Sequence, residues 1–187
     1  MWKSVQKRDR IIWKSGNPYE AGTDKTFSMD TLPQEYTAYG NGDYRINGLE
    51  TEQADGSDTA NLKYEFYEIS KGKYSLKGLP AMFAKEDEAE TLEIVLKDHA
   101  SGLRAHLLYG VFPQLDVITR AVRLENTGTA PVTVKKAMSM EMDYEYRELD
   151  AVHFYGKHNM ERQMGRTHLG HENWSVGSIR GTSCHYH

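Results

Sequence analysis

The residues with the most obvious chemical potential are the histidines, of which the sequence has eight, and the lone Cys184. His168 and His171 stand three apart, and His185 and His187 form an H-x-H pair near the end of the chain. Alternate residues on a strand point the same way, so an H-x-H pair is a plausible half of a zinc site. No carboxylate spacing accompanies these pairs, and a single cysteine cannot supply a thiolate cluster, so no metal site is expected. Cys184 has His185 beside it, but adjacent strand residues point apart, and an inert thiol is the expected state. Asp9, Asp30, Glu35, Asp43, Asp143 and Asp150 all fall in loop-like stretches or at strand ends. A pair of carboxylates for glycosidic chemistry meets in space rather than along the chain, so spacing singles out none of them. No residue is therefore nominated as catalytic, and no cofactor is expected. Trp2, Trp13, Trp174 and the twelve tyrosines suit either stacking on sugar C–H edges or core packing.

The elements that must position these groups read as strands. The first 60 residues carry turn-forming runs such as Ser15-Gly16-Asn17-Pro18 and Gly40-Asn41-Gly42-Asp43, which predict loops with short strands. From Leu62 the sequence alternates with a period of two, and Leu92–Leu96 reads as a partly buried strand ending at the turn Asp98–Gly102. Three β-rich segments follow, Leu103 to Phe112, Val117 to Glu125 and Val132 to about Tyr146, joined by short connections that predict an antiparallel meander. In the middle segment Ile118, Arg120, Val122 and Leu124 share one face. Met138, Met140 and Met142 share a face of the last segment and are expected to fill the core. Glu86–Glu90 has helix formers but also like charges at helical spacing and no apolar stripe, so a solvated loop is expected. Short β-like pieces recur in the tail at Val152–Tyr155 and Trp174–Gly177.

The chain has 187 residues, 39% of them hydrophobic, enough for one sizeable core. A net charge of -4 from interspersed acids and bases excludes the basic stripe that nucleic acid requires. Neither a transmembrane span nor the apolar core of a signal peptide is evident, and the single cysteine fits a reducing, cytoplasmic setting. Neither nucleic acid nor membrane is expected as a partner.

Four stretches, in order and at matching spacing, resemble the amino-terminal domain of bacterial α-galactosidases of glycoside hydrolase family 36. They are Thr26-Phe27-Ser28-Met29-Asp30-Thr31-Leu32-Pro33-Gln34-Glu35-Tyr36 running into Tyr39–Arg45; Lys71–Lys73 with Leu76, Gly78–Ala81 and Glu88–Leu96; Asp116–Arg120 with Asn126, Gly128 and Pro131-Val132; and Gly177–Ser183 with His185 and His187. The resemblance implies an all-β, antiparallel β-supersandwich of the galactose mutarotase-like type. It would be a single domain over 1–187, loop-rich over 1–60 with its main strands in 61–187, and incomplete at its amino terminus. It also implies a parent enzyme that removes terminal α-galactosyl residues from melibiose- and raffinose-type sugars with retention. Both catalytic aspartates would lie in a carboxy-terminal (β/α)8 barrel, so this stretch alone would be inactive. A homo-oligomer is implied, in which an Asp-Arg pair ahead of the Thr-Phe-Ser motif reaches a neighbour's pocket. Asp9-Arg10 occupies that place, which makes Asp9 the substrate-binding candidate. The alternative reading is a free-standing carbohydrate-binding module. A mutarotase-type epimerase would need a His and Glu acid/base pair, and none stands out.

Overall fold

In a computed structural model, residues 33–40, 42–78, 81–143, 148–170 and 172–177 are described. They form eight strands: β1 (Leu49–Gln53), β2 (Leu62–Lys71), β3 (Glu90–Asp98), β4 (Leu103–Phe112), β5 (Val117–Asn126), β6 (Val132–Ala137), β7 (Leu149–Lys157) and β8 (Met160–Leu169). All the strand pairs are antiparallel. The chain divides between Asp143 and Tyr144 into two compact units, each described by itself.

In the first unit the sheet β2-β3-β4-β5 is the expected meander. Its register sets Leu96 against Ala105 and Ile94 against Leu107, then Ala105 against Leu124 and Leu107 against Val122. Period-two alternation therefore gathers these side chains on one face. That face meets Tyr36, Ala38, Leu49 and Ala60, and with Leu96, Leu103, Ala105 and Leu107 they make the buried cluster of the core. The row predicted for β5 holds, with Val122 and Leu124 packed on this core. The opposite face is mixed: Val95, Leu108, Phe112 and Ala121 are buried on it, while Arg104 donates to both oxygens of Glu65 at 2.9 and 3.0 Å and Lys97 lies 3.7 Å from the same carboxylate.

The sixth strand departs from the expected meander. Although its connection to β5 is short, it leaves that sheet and pairs with β1, Leu49 against Ala137 and Gln53 against Val132. Leu49 is fully buried, and a second layer over the core face is needed to bury it. The strand also ends at Ala137, well short of Tyr146. Residues 138–143 beyond it are not in a strand, and Met138, Met140 and Met142 are exposed rather than in the core. The loop expected at Glu86–Glu90 is present up to Glu88, with Glu90 already opening β3. Trp174–Gly177 is not a strand.

Two turns lock the meander at one end. Gly102 has a positive φ of 79°, and its carbonyl accepts from the Thr127 amide at 3.0 Å and the Thr127 hydroxyl at 2.6 Å. A Cβ on Gly128 would sit 2.0 Å from the Ser101 carbonyl oxygen, so the two turns touch backbone to backbone.

The second unit contributes the hairpin β7–β8, with Leu149 opposite Leu169 and Phe154 opposite Met164. Among the described residues no helix is long and apolar enough to cross a membrane.

Urea denaturation checks this layering. Leu107→Ala is expected to cost about 2–5 kcal/mol, because it empties the centre of the core. Gly128→Ala is expected to cost about 1–3 kcal/mol through overpacking. A Gly128→Ala variant as stable as the parent would show that the two turns do not touch.

Candidate functional site

One group of ionisable side chains in the first unit forms where residues of 34–48 and of 138–143 come together. Along the first, alternation turns Asp43, Arg45 and Asn47 inward; along the second it does the same for Glu141 and Asp143. Arg45 joins them. Its Nη1 donates to Asp143 Oδ2 at 2.7 Å, its Nη2 to Asp43 Oδ2 at 2.7 Å and its Nε to Asp43 Oδ1 at 3.0 Å. The fork–fork contact with Asp43 is the strong, geometrically specific form of ion pair. Gln34 completes the group, its amide donating to Asp143 Oδ2 at 2.7 Å and its side-chain nitrogen to Asp43 Oδ2 at 2.8 Å.

Beneath this group Glu141 Oε2 accepts from the Thr37 amide at 2.7 Å and the Thr37 hydroxyl at 3.0 Å. The Tyr36 hydroxyl lies 3.1 Å from the Gly48 carbonyl and 2.9 Å from that of Met138, and can donate to either. Burial is the main cause that pushes the Tyr36 phenol up to about 12, with the Glu141 charge adding to it.

The two kinds of carboxylate behave oppositely. Burial opposes ionisation of Asp43, but its hydrogen bonds to Arg45 and the Arg45 charge outweigh that and hold it below the usual aspartate range. Burial raises Glu141, and the donations from Thr37 only partly offset it. Asp43 and Asp143 both share the Arg45 guanidinium, and Asp43, held ionised by it, is a poor proton donor. Glu141 has the raised affinity of a general acid, yet its oxygen is occupied by Thr37 in the interior of the unit. The arrangement is thus suited to holding two segments together rather than to protonating a leaving group.

Two further groups were not evident from the sequence. His106 lies on the face of the sheet opposite the core cluster, its Nδ1 2.5 Å from Glu93 and its Nε2 3.1 Å from Glu125, with Arg123 Nη2 3.0 Å from Glu93. It is a His and Glu pair, but both ring nitrogens are engaged and the ring is buried, so neither is presented to a substrate. Arg120 lies in the same row of β5 as Val122, its guanidinium carbon 3.8 Å from the centre of the Tyr109 ring and its Nη1 3.5 Å from Glu35. The Arg120 Nε and Nη2 and the Tyr109 hydroxyl are buried without hydrogen-bond partners. Only cross-strand register brings Tyr109 under Arg120, and no short motif encodes it.

Of the residues singled out from sequence, Asp43 and Asp143 meet on Arg45 and Glu35 pairs with Arg120, while in the second unit Asp150 pairs with Arg166 and with His168, whose Nδ1 is 3.1 Å from it. His168 is thus committed to a carboxylate. Asp9, Asp30, His171, Cys184, His185 and His187 lie outside the described residues. Among the described residues no cluster of metal-ligating side chains is present.

Stability as a function of pH separates the two carboxylates. Asp43 is depressed, so its contribution is full above the usual aspartate range and is lost as pH falls through its lowered value. Asp43→Asn is therefore expected to cost about 2 kcal/mol at neutral pH, with the deficit shrinking in acid. Glu141 is raised, so its ionised form weakens the fold above that raised value. Glu141→Gln is expected to stabilise at neutral pH, with the gain vanishing in acid. Thermal denaturation from pH 3 to 8 reads both, and parallel curves for the two variants would refute the assignment.

Comparison with known proteins places this geometry. Residues 5–187 match the family described as the glycosyl hydrolase family 36 N-terminal domain. The bifunctional alpha-galactosidase/sucrose kinase AgaSK of Mediterraneibacter gnavus is 53% identical over 91% of this chain and 18% of its own length. Alpha-galactosidase AgaA of Geobacillus stearothermophilus is 41% identical over 98% of the chain and 25% of its own length. The solved galactosidase domain of AgaSK superposes with a TM-score of 0.84 at 51% identity, over 92% of this chain and 24% of that one. The AgaA structure in complex with raffinose gives 0.84 at 40% identity, over 91% and 24%. The chain thus spans a quarter or less of these relatives. The antiparallel all-strand architecture, the match across residues 5–187 and the relatives agree, and the chain belongs to the glycoside hydrolase family 36 N-terminal domains.

Proposed function

We propose that this chain is the non-catalytic front domain of an α-galactosidase that hydrolyses terminal α-galactosyl residues of melibiose- and raffinose-type oligosaccharides with retention. The observation that carries the reading is 53% identity over 91% of the chain to a relative named as an alpha-galactosidase, at 18% of that relative's length. A relative solved with raffinose supports the substrate class. In this reading residues 1–187 form one β-supersandwich domain, and the two catalytic aspartates, a nucleophile and an acid/base, lie in a (β/α)8 barrel of the same polypeptide. The chemistry of the described carboxylates fits that division: Asp43 and Asp143 share Arg45, and Glu141 is turned onto Thr37. Retention requires two free carboxyl groups about 5 Å apart across the scissile bond.

The domain's own contribution is to assembly and to the rim of the active site. Asp9 of one subunit accepts hydrogen bonds from galactose hydroxyls in a neighbour's pocket, since one carboxylate can accept from two hydroxyls at once. The enzyme acts in the cytoplasm as a homo-oligomer, without cofactor, nucleic acid or membrane.

Two assays test this. The 187-residue chain alone is expected to release no nitrophenol from nitrophenyl α-galactoside, and turnover by it would place the catalytic pair here. In the assembled parent enzyme Asp9→Ala is expected to lower kcat/KM for raffinose by about 10- to 100-fold, the worth of a charged hydrogen bond. Unchanged kinetics would remove Asp9 from the pocket. Calorimetric binding of raffinose to the isolated chain would instead favour a free-standing carbohydrate-binding module.

A further inference from the structure

The hydrogen-bonding state of His106 follows from what stands at its two ring nitrogens. Nδ1 lies 2.5 Å from Glu93 Oε1, and Nε2 lies 3.1 Å from Glu125 Oε2. An ionised carboxylate only accepts, whereas a neutral imidazole has one N–H and one bare nitrogen, so it serves one of these partners and turns a lone pair on the other. Only the imidazolium has two donors. A bare Nδ1 accepting from Arg123 Nη2 at 3.0 Å would set two acceptors, Nδ1 and Glu93 Oε1, against each other at 2.5 Å. With a proton on Nδ1, that N–H and the Arg123 N–H converge on Glu93 Oε1, and the two donors lie close because they share an acceptor. Register makes the contact span three strands. Val95 of β3 and Arg123 of β5 stand directly across from His106, and Glu93 and Glu125 lie two residues along from them on the same face. Among the other charges on this side of the sheet, Arg104 and Lys97 pair with Glu65, and Lys73, which lies over Gly110, donates to the Tyr74 carbonyl. Two carboxylates in contact with the ring thus act against the one guanidinium of Arg123, and the balance of direct contacts favours the charged ring.

We propose that His106 is a proton-dependent tie across β3, β4 and β5, in which the imidazolium holds Glu93 and Glu125 together and loss of the Nε2 proton to alkaline solvent releases Glu125. Nδ1–H keeps Glu93 in both states, since Glu93 is the nearer acceptor and Arg123 holds it in place. The tie is therefore hinged on β5. The direction is fixed: the contribution is present while the ring carries both protons and is lost as pH rises. Release falls next to the paired turns, because Glu125 stands two residues before Thr127, whose amide and hydroxyl donate to the Gly102 carbonyl.

Nitrogen-resolved magnetic resonance of the imidazole rings in the full 187-residue chain tests this without any substitution. Both ring nitrogens of His106 are expected to be protonated at pH 7, with Nε2 the one that loses its proton on titration toward pH 9. A bare nitrogen at pH 7, or Nδ1 deprotonating first, overturns the proposal. Glu125→Gln supplies the second reading, because an amide can donate to a bare Nε2 as well as accept from a protonated one and so keeps the strand tied in both states. Between pH 7 and pH 9 the folding equilibrium constant of the parent, from urea denaturation, is expected to fall roughly tenfold more than that of Glu125→Gln, the worth of one charge-assisted hydrogen bond. Equal falls in the two proteins overturn the tie.

Discussion

One guanidinium sets the form of the first unit's irregular half. Arg45 reaches Asp43 two residues away and Asp143 at the far end of the unit, and it serves both carboxylates only while segments 33–48 and 138–143 lie side by side. Beyond β1 and β6 the backbone pairing recorded for these segments is sparse: a parallel bridge of Ala38 with Leu49 and the Met138 amide donating to the Gly48 carbonyl. The side-chain bonds of Gln34, Thr37, Tyr36 and Glu141 add to that pairing. The regular meander behind them is held by alternation and apolar burial and needs no such device.

This division also explains why the cluster is a poor catalyst. An acid/base pair needs two carboxyl groups with different proton affinities, each free to reach one bond. Asp43 and Glu141 have affinities pushed apart, as catalytic pairs do, but both are occupied with the protein's own backbone and side chains. Perturbed carboxylates mark structural ion networks as well as active sites.

The sequence made the regular part of this fold legible because period-two alternation is local. β2, β4 and β5 begin where the runs from Leu62, Leu103 and Val117 begin, β3 spans the Leu92–Leu96 run from Glu90, and the Val122–Leu124 face packs as alternation requires. The misreadings were non-local. β6 has a strand's composition, but which sheet it joins depends on the need to cover Leu49, a residue 83 or more positions earlier. Met138, Met140 and Met142 alternate as a strand would, yet period two says only that they share a face, not that the face is buried. Asp43 and Asp143 were visible as candidates among many. That Arg45 joins them could not be read across the 98 residues that separate it from Asp143, and the alternation of Asp43, Arg45 and Asn47 against Tyr44 and Ile46 was the one local hint.

The central claim is that Arg45 holds segments 33–48 and 138–143 as one piece. Amide hydrogen exchange of Arg45→Gln against the parent chain tests it most directly. The account predicts that both segments lose protection together while the Leu96 and Leu107 amides in β3 and β4 keep theirs. Loss in only one segment, or unchanged exchange in both, would contradict it.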